Sequence, residues 1–345
     1  MQYPRAVAAL LVILVLLAAC GRSDPERVRE TAFLLGTAVT ITVQDHRGAG
    51  EAIQRAFDRT REIQDKMSAN DTAYDTTEII RVNRYAGNRP VAVSEETFFV
   101  VLEALRFAEL TGGAFDPTVL PLFRLWGMGT EDAAVPPIEE ILEVLEFVDY
   151  EAVELDPEQR TVYLTRPGMA LDLGGIAKGY AVNEAGRVLR EAGVRHAILD
   201  YGGDIVTIGT RPDDTPWRIG VQHPNGRRGQ FLGILESTDE SVVSSGAYER
   251  YFTQNGTRYH HIFDPETGYP SLAGLTSVTV VGADAATTDA LSTAIFVMGL
   301  EEGLELIESI PGYEAIIATG DGRIYLTGDL ASRFQRRADE YELVE

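Results

Sequence analysis

The first pattern along the chain is an unbroken apolar run over 6–19, opened by Arg5 and closed by Leu17-Ala18-Ala19-Cys20-Gly21. A bilayer-spanning helix needs about 20 such residues, so the run reads as the core of a secretory signal. Positions 31–43 are rich in β-branched residues and alternate enough to predict a strand. Over 51–66, Ile53, Ala56, Phe57, Thr60 and Ile63 fall on one helical face. A second helix is expected over 94–110. It opens on Ser94 with Thr97 where a capping box would carry an acid, and Thr111-Gly112-Gly113 stops it. Pro136-Pro137 opens a helix to about 147, and another spans 179–192, ended by Gly193. Strands are expected at 161–165, 195–200, 204–209, 217–221, 231–235 and 275–281. Helices follow at 287–298 and 302–308, then a hairpin turning at Asp321-Gly322.

Short, mostly consecutive strands mixed with long helices predict an α+β architecture with antiparallel sheet, one domain of two lobes over 31–340. Ahead of it lie a signal peptide, 1–19, and a charged tether, 20–30. Regular βαβ alternation is missing, as are G-x-G-x-x-G and G-x-x-x-x-G-K-[ST], which removes the Rossmann and P-loop readings of any nucleotide site. Net charge changes the picture next: at −23 the chain repels nucleic acid. It equally gives an anionic dinucleotide no long-range help, so a phosphate site has to be built locally from metal, backbone N–H groups and a few cations. Cys20 is the single cysteine, which rules out an intramolecular disulfide. Small residues before Cys20 resemble a bacterial lipobox, so lipidation of Cys20 is expected, with the mature chain held at a membrane and facing the periplasm or cell exterior.

Five loop-borne clusters carry candidate chemistry. Gly112 to Thr118, running on to Leu125-Trp126-Gly127, reads by itself as a helix stop and turn. Leu171-Asp172-Leu173-Gly174-Gly175-Ile176-Ala177-Lys178-Gly179-Tyr180-Ala181 leads a strand through glycines into a helix, a turn that presents N–H groups to an anion with Lys178 adding charge. Asp200-Tyr201-Gly202-Gly203-Asp204 is either a tight turn or a place for close ligand approach. Ser244-Ser245-Gly246 with Arg250, then Tyr259 to Gly268, set two histidines beside a carboxylate, a composition suited to proton transfer or metal ligation. In Asp284 to Ala294, Asp289 and Thr293 are one helical turn apart, where a carboxylate and a hydroxyl can share a hard cation. A dipole-stabilising acid with an unremarkable threonine reads equally from that spacing.

These clusters, with Leu34-Leu35-Gly36-Thr37 ahead of them, occur in one order along nearly the whole chain after the signal. In that order they resemble the motifs of the ApbE family of FAD:protein FMN transferases. The resemblance implies Mg²⁺ held by the Ala177 carbonyl, Asp289 and Thr293. It implies FAD as substrate, bound by Leu35, Tyr74, Ala114, Phe115, Asp116, Gly174, Lys178, Tyr180 and the segment from His261 to Phe263. It further implies attack of an acceptor protein's threonine hydroxyl on the FMN-side phosphorus, with AMP leaving. His261, Asp289 and Lys178 are the catalytic candidates, with His261 or Asp289 as base. Two alternatives stay open at this level: a Mg²⁺-dependent FAD pyrophosphatase, in which water replaces threonine, and a flavin-trafficking lipoprotein without transfer.

Overall fold

A computed structural model describes residues 27–69, 77–227 and 229–344. Cys20, the signal, most of the tether and Tyr74 lie outside the described residues. The expected α+β architecture is what the chain forms, built on one nine-stranded sheet. In spatial order, which is also chain order, its strands are Arg27–Leu34, Thr37–Gln44, Ala197–Tyr201, Asp204–Ile208, Ser241–Gly246, Leu275–Gly282, Glu314–Thr319, Arg323–Leu326 and Glu342–Val344. Every pair is antiparallel except the last.

Alternation along these strands feeds two cores, because successive side chains point to opposite faces. Ile317 joins Val278, Val280, Leu291 and Ile295 on one face, whereas Ile316 joins Val242, Val281, Leu235 and Phe334 on the other. Helices Ala49–Met67, Ala177–Glu191 and Ala285–Met298 cover the first face. A small sheet of Trp217–Gln222, Phe231–Ser237 and Phe334–Arg336 covers the second. The amphipathic helix expected over 51–66 buries Ile53, Ala56, Phe57, Thr60 and Ile63 as its spacing predicts.

The structure corrects one element and adds others. Residues 31–43 are not one strand but the hairpin Arg27–Leu34 and Thr37–Gln44, turning at Leu35 and Gly36, both with positive φ (52° and 70°). Such a two-residue loop usually announces itself as Asn-Gly or Asp-Gly, and a leucine in the left-handed region gives no such signal. Strand Ser241–Gly246, the separate hairpin Tyr251–Gln254 and Thr257–His260, and helix Glu78–Arg84 were not foreseen. Among the described residues no helix is long and apolar enough to cross a membrane.

Candidate active site

Two helices on the same face of the sheet build the site, and one glycine lets them meet. Helix Ala177–Glu191 crosses helix Ala285–Met298 at Gly179, where a Cβ would stand 2.1 Å from the Ala285 carbonyl oxygen. With that approach allowed, Gly179 N–H donates to Asp289 Oδ2 at 3.1 Å. One turn further on, Thr293 Oγ1 shares a hydrogen with Ser245 Oγ at 3.2 Å and lies beside Gly175. Asp289, Thr293 and the Gly174-to-Gly179 segment with its Ala177 are therefore gathered in one place, as the spacing argument expected.

Asp204 opens the fourth sheet strand and reaches the same point, which singling out the Asp200-to-Asp204 turn hinted at without naming it as a site residue. It is 1% exposed, ion-pairs with Lys178, and leaves its Oδ2 enclosed without a donor. Burial drives the Asp289 carboxyl up to about 8, and the Asp204 charge adds to this against the pull of Lys178. Burial raises the Asp204 carboxyl as well, with Lys178 opposing it. Two buried carboxyls share one ammonium, and burial raises both, so without a further positive charge the pair retains a proton. Asp289, the Thr293 hydroxyl and the Ala177 carbonyl are oxygen donors of the kind a hard cation takes. Among the described residues no group of three or more His, Cys, Asp or Glu side chains forms a closed metal cage.

The glycine turn is less open than its sequence suggests. Gly174 N–H donates to Asp172 Oδ1 (2.9 Å), while Ile176 N–H (3.0 Å) and Ala177 N–H (2.7 Å) both donate to the Leu173 carbonyl. Gly175 N–H and Lys178 N–H alone of this turn find no protein acceptor among the described residues. They are the pair left for an anion at the helix start. Lys178 itself is committed to Asp204 rather than standing free at that start.

The remaining expected residues surround this centre in unequal ways. Phe115 is buried edge-on to Phe107 and touches Gly175, whose added Cβ would sit 2.9 Å from its ring. Asp116 spends its carboxylate inside its own loop, accepting from Thr118 N–H (2.7 Å), Thr118 Oγ1 (2.6 Å) and Tyr150 N–H (3.1 Å). Contact of Asp116 or neighbouring Ala114 with a ligand thus falls chiefly to backbone. Tyr180 donates to Glu96 at 2.9 Å, and Glu96 also receives Arg59 and Lys66. Leu35 N–H donates to Gln64 Oε1 at 2.6 Å, fixing the strained hairpin tip.

His261 and Phe263 enter from the sixth strand's approach. Phe263 is buried against Phe123 and Trp126, in the small core that also holds Ile141. His261 N–H donates to the Arg250 carbonyl at 3.0 Å, and its ring Nδ1 is enclosed with no partner. Burial first, then the nearby Arg250, pushes the imidazole down to about 3, so it is neutral at physiological pH. Arg250 ties these parts together: its guanidinium packs beside Gly36 of the hairpin tip, and its charge acts on both His261 and Asp172.

The sequence profile of the ApbE family matches residues 35–317. A relative from Treponema pallidum named FAD:protein FMN transferase is 33% identical over 95% of this chain and 94% of its own length. One of the same name from Vibrio cholerae is 35% identical over 90% of this chain and 93% of its own. The solved ApbE protein of Thermotoga maritima is similar with a TM-score of 0.82 at 36% identity, covering 90% of this chain and 100% of that one. The flavin transferase ApbE from Vibrio cholerae gives 0.79 at 31% identity, with the same coverage. On sequence and structure alike, the chain belongs to the ApbE family.

Proposed function

We propose that this chain is a Mg²⁺-dependent FAD:protein FMN transferase. The acceptor's threonine oxygen forms a bond to the FMN-side phosphorus, the bond from that phosphorus to the bridging oxygen breaks, and AMP leaves. The observation that carries this reading is the gathering of Asp289, Thr293, Lys178 and Asp204 against the glycine turn and the helix it starts. Mg²⁺ bound at Asp289, Thr293 and the Ala177 carbonyl would supply charge neutralisation on the pyrophosphate.

This chain's own groups do the rest. Gly175 N–H and Lys178 N–H receive phosphate oxygens, and Lys178 holds Asp204 so that its buried carboxylate keeps a fixed place beside Asp289. Leu35, Ala114, Phe115, Asp116, Gly174, Tyr180 and the segment from His261 to Phe263 bind FAD, with Tyr74 as a further expected contact. His261 is the group we assign to take up the hydroxyl proton at its unpartnered Nδ1, the negative charge of the bound pyrophosphate offsetting the burial that keeps the free imidazole neutral. Positioning and electrostatics of this kind are the usual substance of phosphoryl transfer.

Incubation with FAD, Mg²⁺ and a membrane redox subunit should give in-gel flavin fluorescence on that subunit. Release of FMN and AMP with the subunit unlabelled would instead make the chain a pyrophosphatase, and FAD held intact would make it a carrier. We read the lipobox at Cys20 as a lipid anchor that holds the domain outside the cytoplasm, near such subunits. Mass spectrometry of the native protein should find a chain beginning at acylated Cys20; an unmodified N-terminus elsewhere would remove the anchor.

A further inference from the structure

A transferase to protein needs a way to hold a stretch of acceptor chain at its site, and none of the residues above provides one. The hairpin Tyr251–Gln254 and Thr257–His260 stands apart from every other sheet of the described residues. Its inner face is anchored: Phe252 and Tyr259 stack on one another and lie against Trp126, and Gln254 Oε1 accepts from Val135 N–H at 3.1 Å. Its edges are a different matter. The bond from His261 N–H to the Arg250 carbonyl marks residues 250 and 261 as a hydrogen-bonded pair. By the alternation of antiparallel ladders, Tyr251 and Thr253 then turn their N–H and C=O groups outward on one side, and Arg258 and His260 on the other.

The two edges differ in what already occupies them. At the base of the second, the Ser271 segment runs alongside, with Ser271 N–H donating to the Ile262 carbonyl (2.9 Å) and the His260 ring meeting the Ser271 carbonyl (3.1 Å). The first edge has no such cover: among the described residues, no protein group pairs with the outward N–H or C=O of Tyr251 or Thr253. It also adjoins the site, since Arg250 directly precedes it and packs beside Gly36 while its carbonyl holds His261.

We propose that the edge of strand Tyr251–Gln254 is where the acceptor docks, an extended segment of the acceptor protein adding as a third strand and delivering its hydroxyl past Arg250. This rests on the transferase reading above and names how its protein substrate is recognised. Main-chain pairing gives affinity and leaves alternate side chains for specificity, which suits an enzyme whose target is a short stretch of a folded partner. Charge complementarity sets the character of that segment. The hairpin from Tyr251 to His260 carries Arg258 and no carboxylate, with Arg250 and Glu249 just ahead of it and Asp264 beyond it, in a chain of net charge −23. Tyr251, 47% exposed, lies under the Arg258 guanidinium at 4.4 Å. The occupant is therefore a neutral-to-acidic segment that the rest of the surface repels.

The test uses a membrane redox subunit that the wild-type enzyme flavinylates; failure of the wild type to label any such subunit would sink the transferase reading, not this edge. Thr253→Pro removes an outward N–H without touching the hairpin's own pairs, a place where proline is tolerated. KM for the subunit should rise by about tenfold or more, while FAD affinity by calorimetry stays as in the wild type and Thr253→Ala behaves normally. In parallel, residue-resolved amide exchange on the wild type should show Tyr251 and Thr253 gaining protection when the subunit binds, with Arg258 unchanged. That second readout decides the matter if the proline variant misfolds. An unchanged KM in a folded Thr253→Pro, or no protection at Tyr251 and Thr253, overturns the proposal. So does protection caused by a second copy of this chain in the absence of the subunit.

Discussion

At the scale of single residues, His261 is the side chain whose environment makes the sharpest statement. Its pKa is pushed down to about 3, chiefly by burial. A histidine in the unfolded chain titrates near 6.5, so below that pH the unfolded state takes up a proton that the folded site refuses. The stability His261 contributes is thus present above about pH 6.5 and is lost as pH falls towards 3. Denaturant melts between pH 7 and pH 4 should show the wild type losing more stability than His261→Gln; parallel losses would mean that the ring is not held neutral by burial. The same variant should slow FMN transfer by about 10²-fold or more while still binding FAD, the usual scale for a lost proton acceptor. Asp116 teaches the opposite lesson. The family resemblance implied FAD contact there, while its carboxylate accepts from Thr118 in a local Asx turn and from Tyr150, 34 positions away and brought in by the fold.

Among elements, the crossing of helices Ala177–Glu191 and Ala285–Met298 decides whether the site exists. A methyl group on Gly179 would meet the backbone of Ala285 and Ala286, and neither can swing aside as a side-chain end could. Gly179→Ala should therefore push the helices apart, cost about 1–3 kcal/mol in urea melts, and weaken Mg²⁺ binding by breaking the bond from Gly179 N–H to Asp289. Full stability together with wild-type Mg²⁺ affinity would contradict the crossing. Long periodic helices were legible from spacing alone, because burying one face of 51–66 or capping at Ser94 is a local matter. The hairpin tip at Leu35 was not, since its left-handed leucine is held there by Gln64, a residue of another element. Asp204 escaped for the same reason: its turn was visible, but its partners Lys178 and Asp289 lie 26 and 85 positions away and meet it only through the sheet.

For the molecule as a whole, an acidic chain has gathered two buried carboxyls and a lysine against the start of a helix. Asp289, Thr293 and Lys178 were all named by motif, and the fold brings them together with Asp204 against the glycine turn. The two cores make this possible by holding the helices on one face of the sheet and the strand starts at its end. The proposed transfer depends on Mg²⁺ binding at that junction. Asp289→Ala removes a charged ligand that water cannot replace, whereas Thr293→Ala removes a neutral one that water can. AMP release from FAD in the presence of acceptor, followed against Mg²⁺ concentration, should vanish in Asp289→Ala and persist in Thr293→Ala at a reduced level that recovers with added Mg²⁺. Wild-type turnover by Asp289→Ala, or wild-type activity that survives excess EDTA, would contradict the site described.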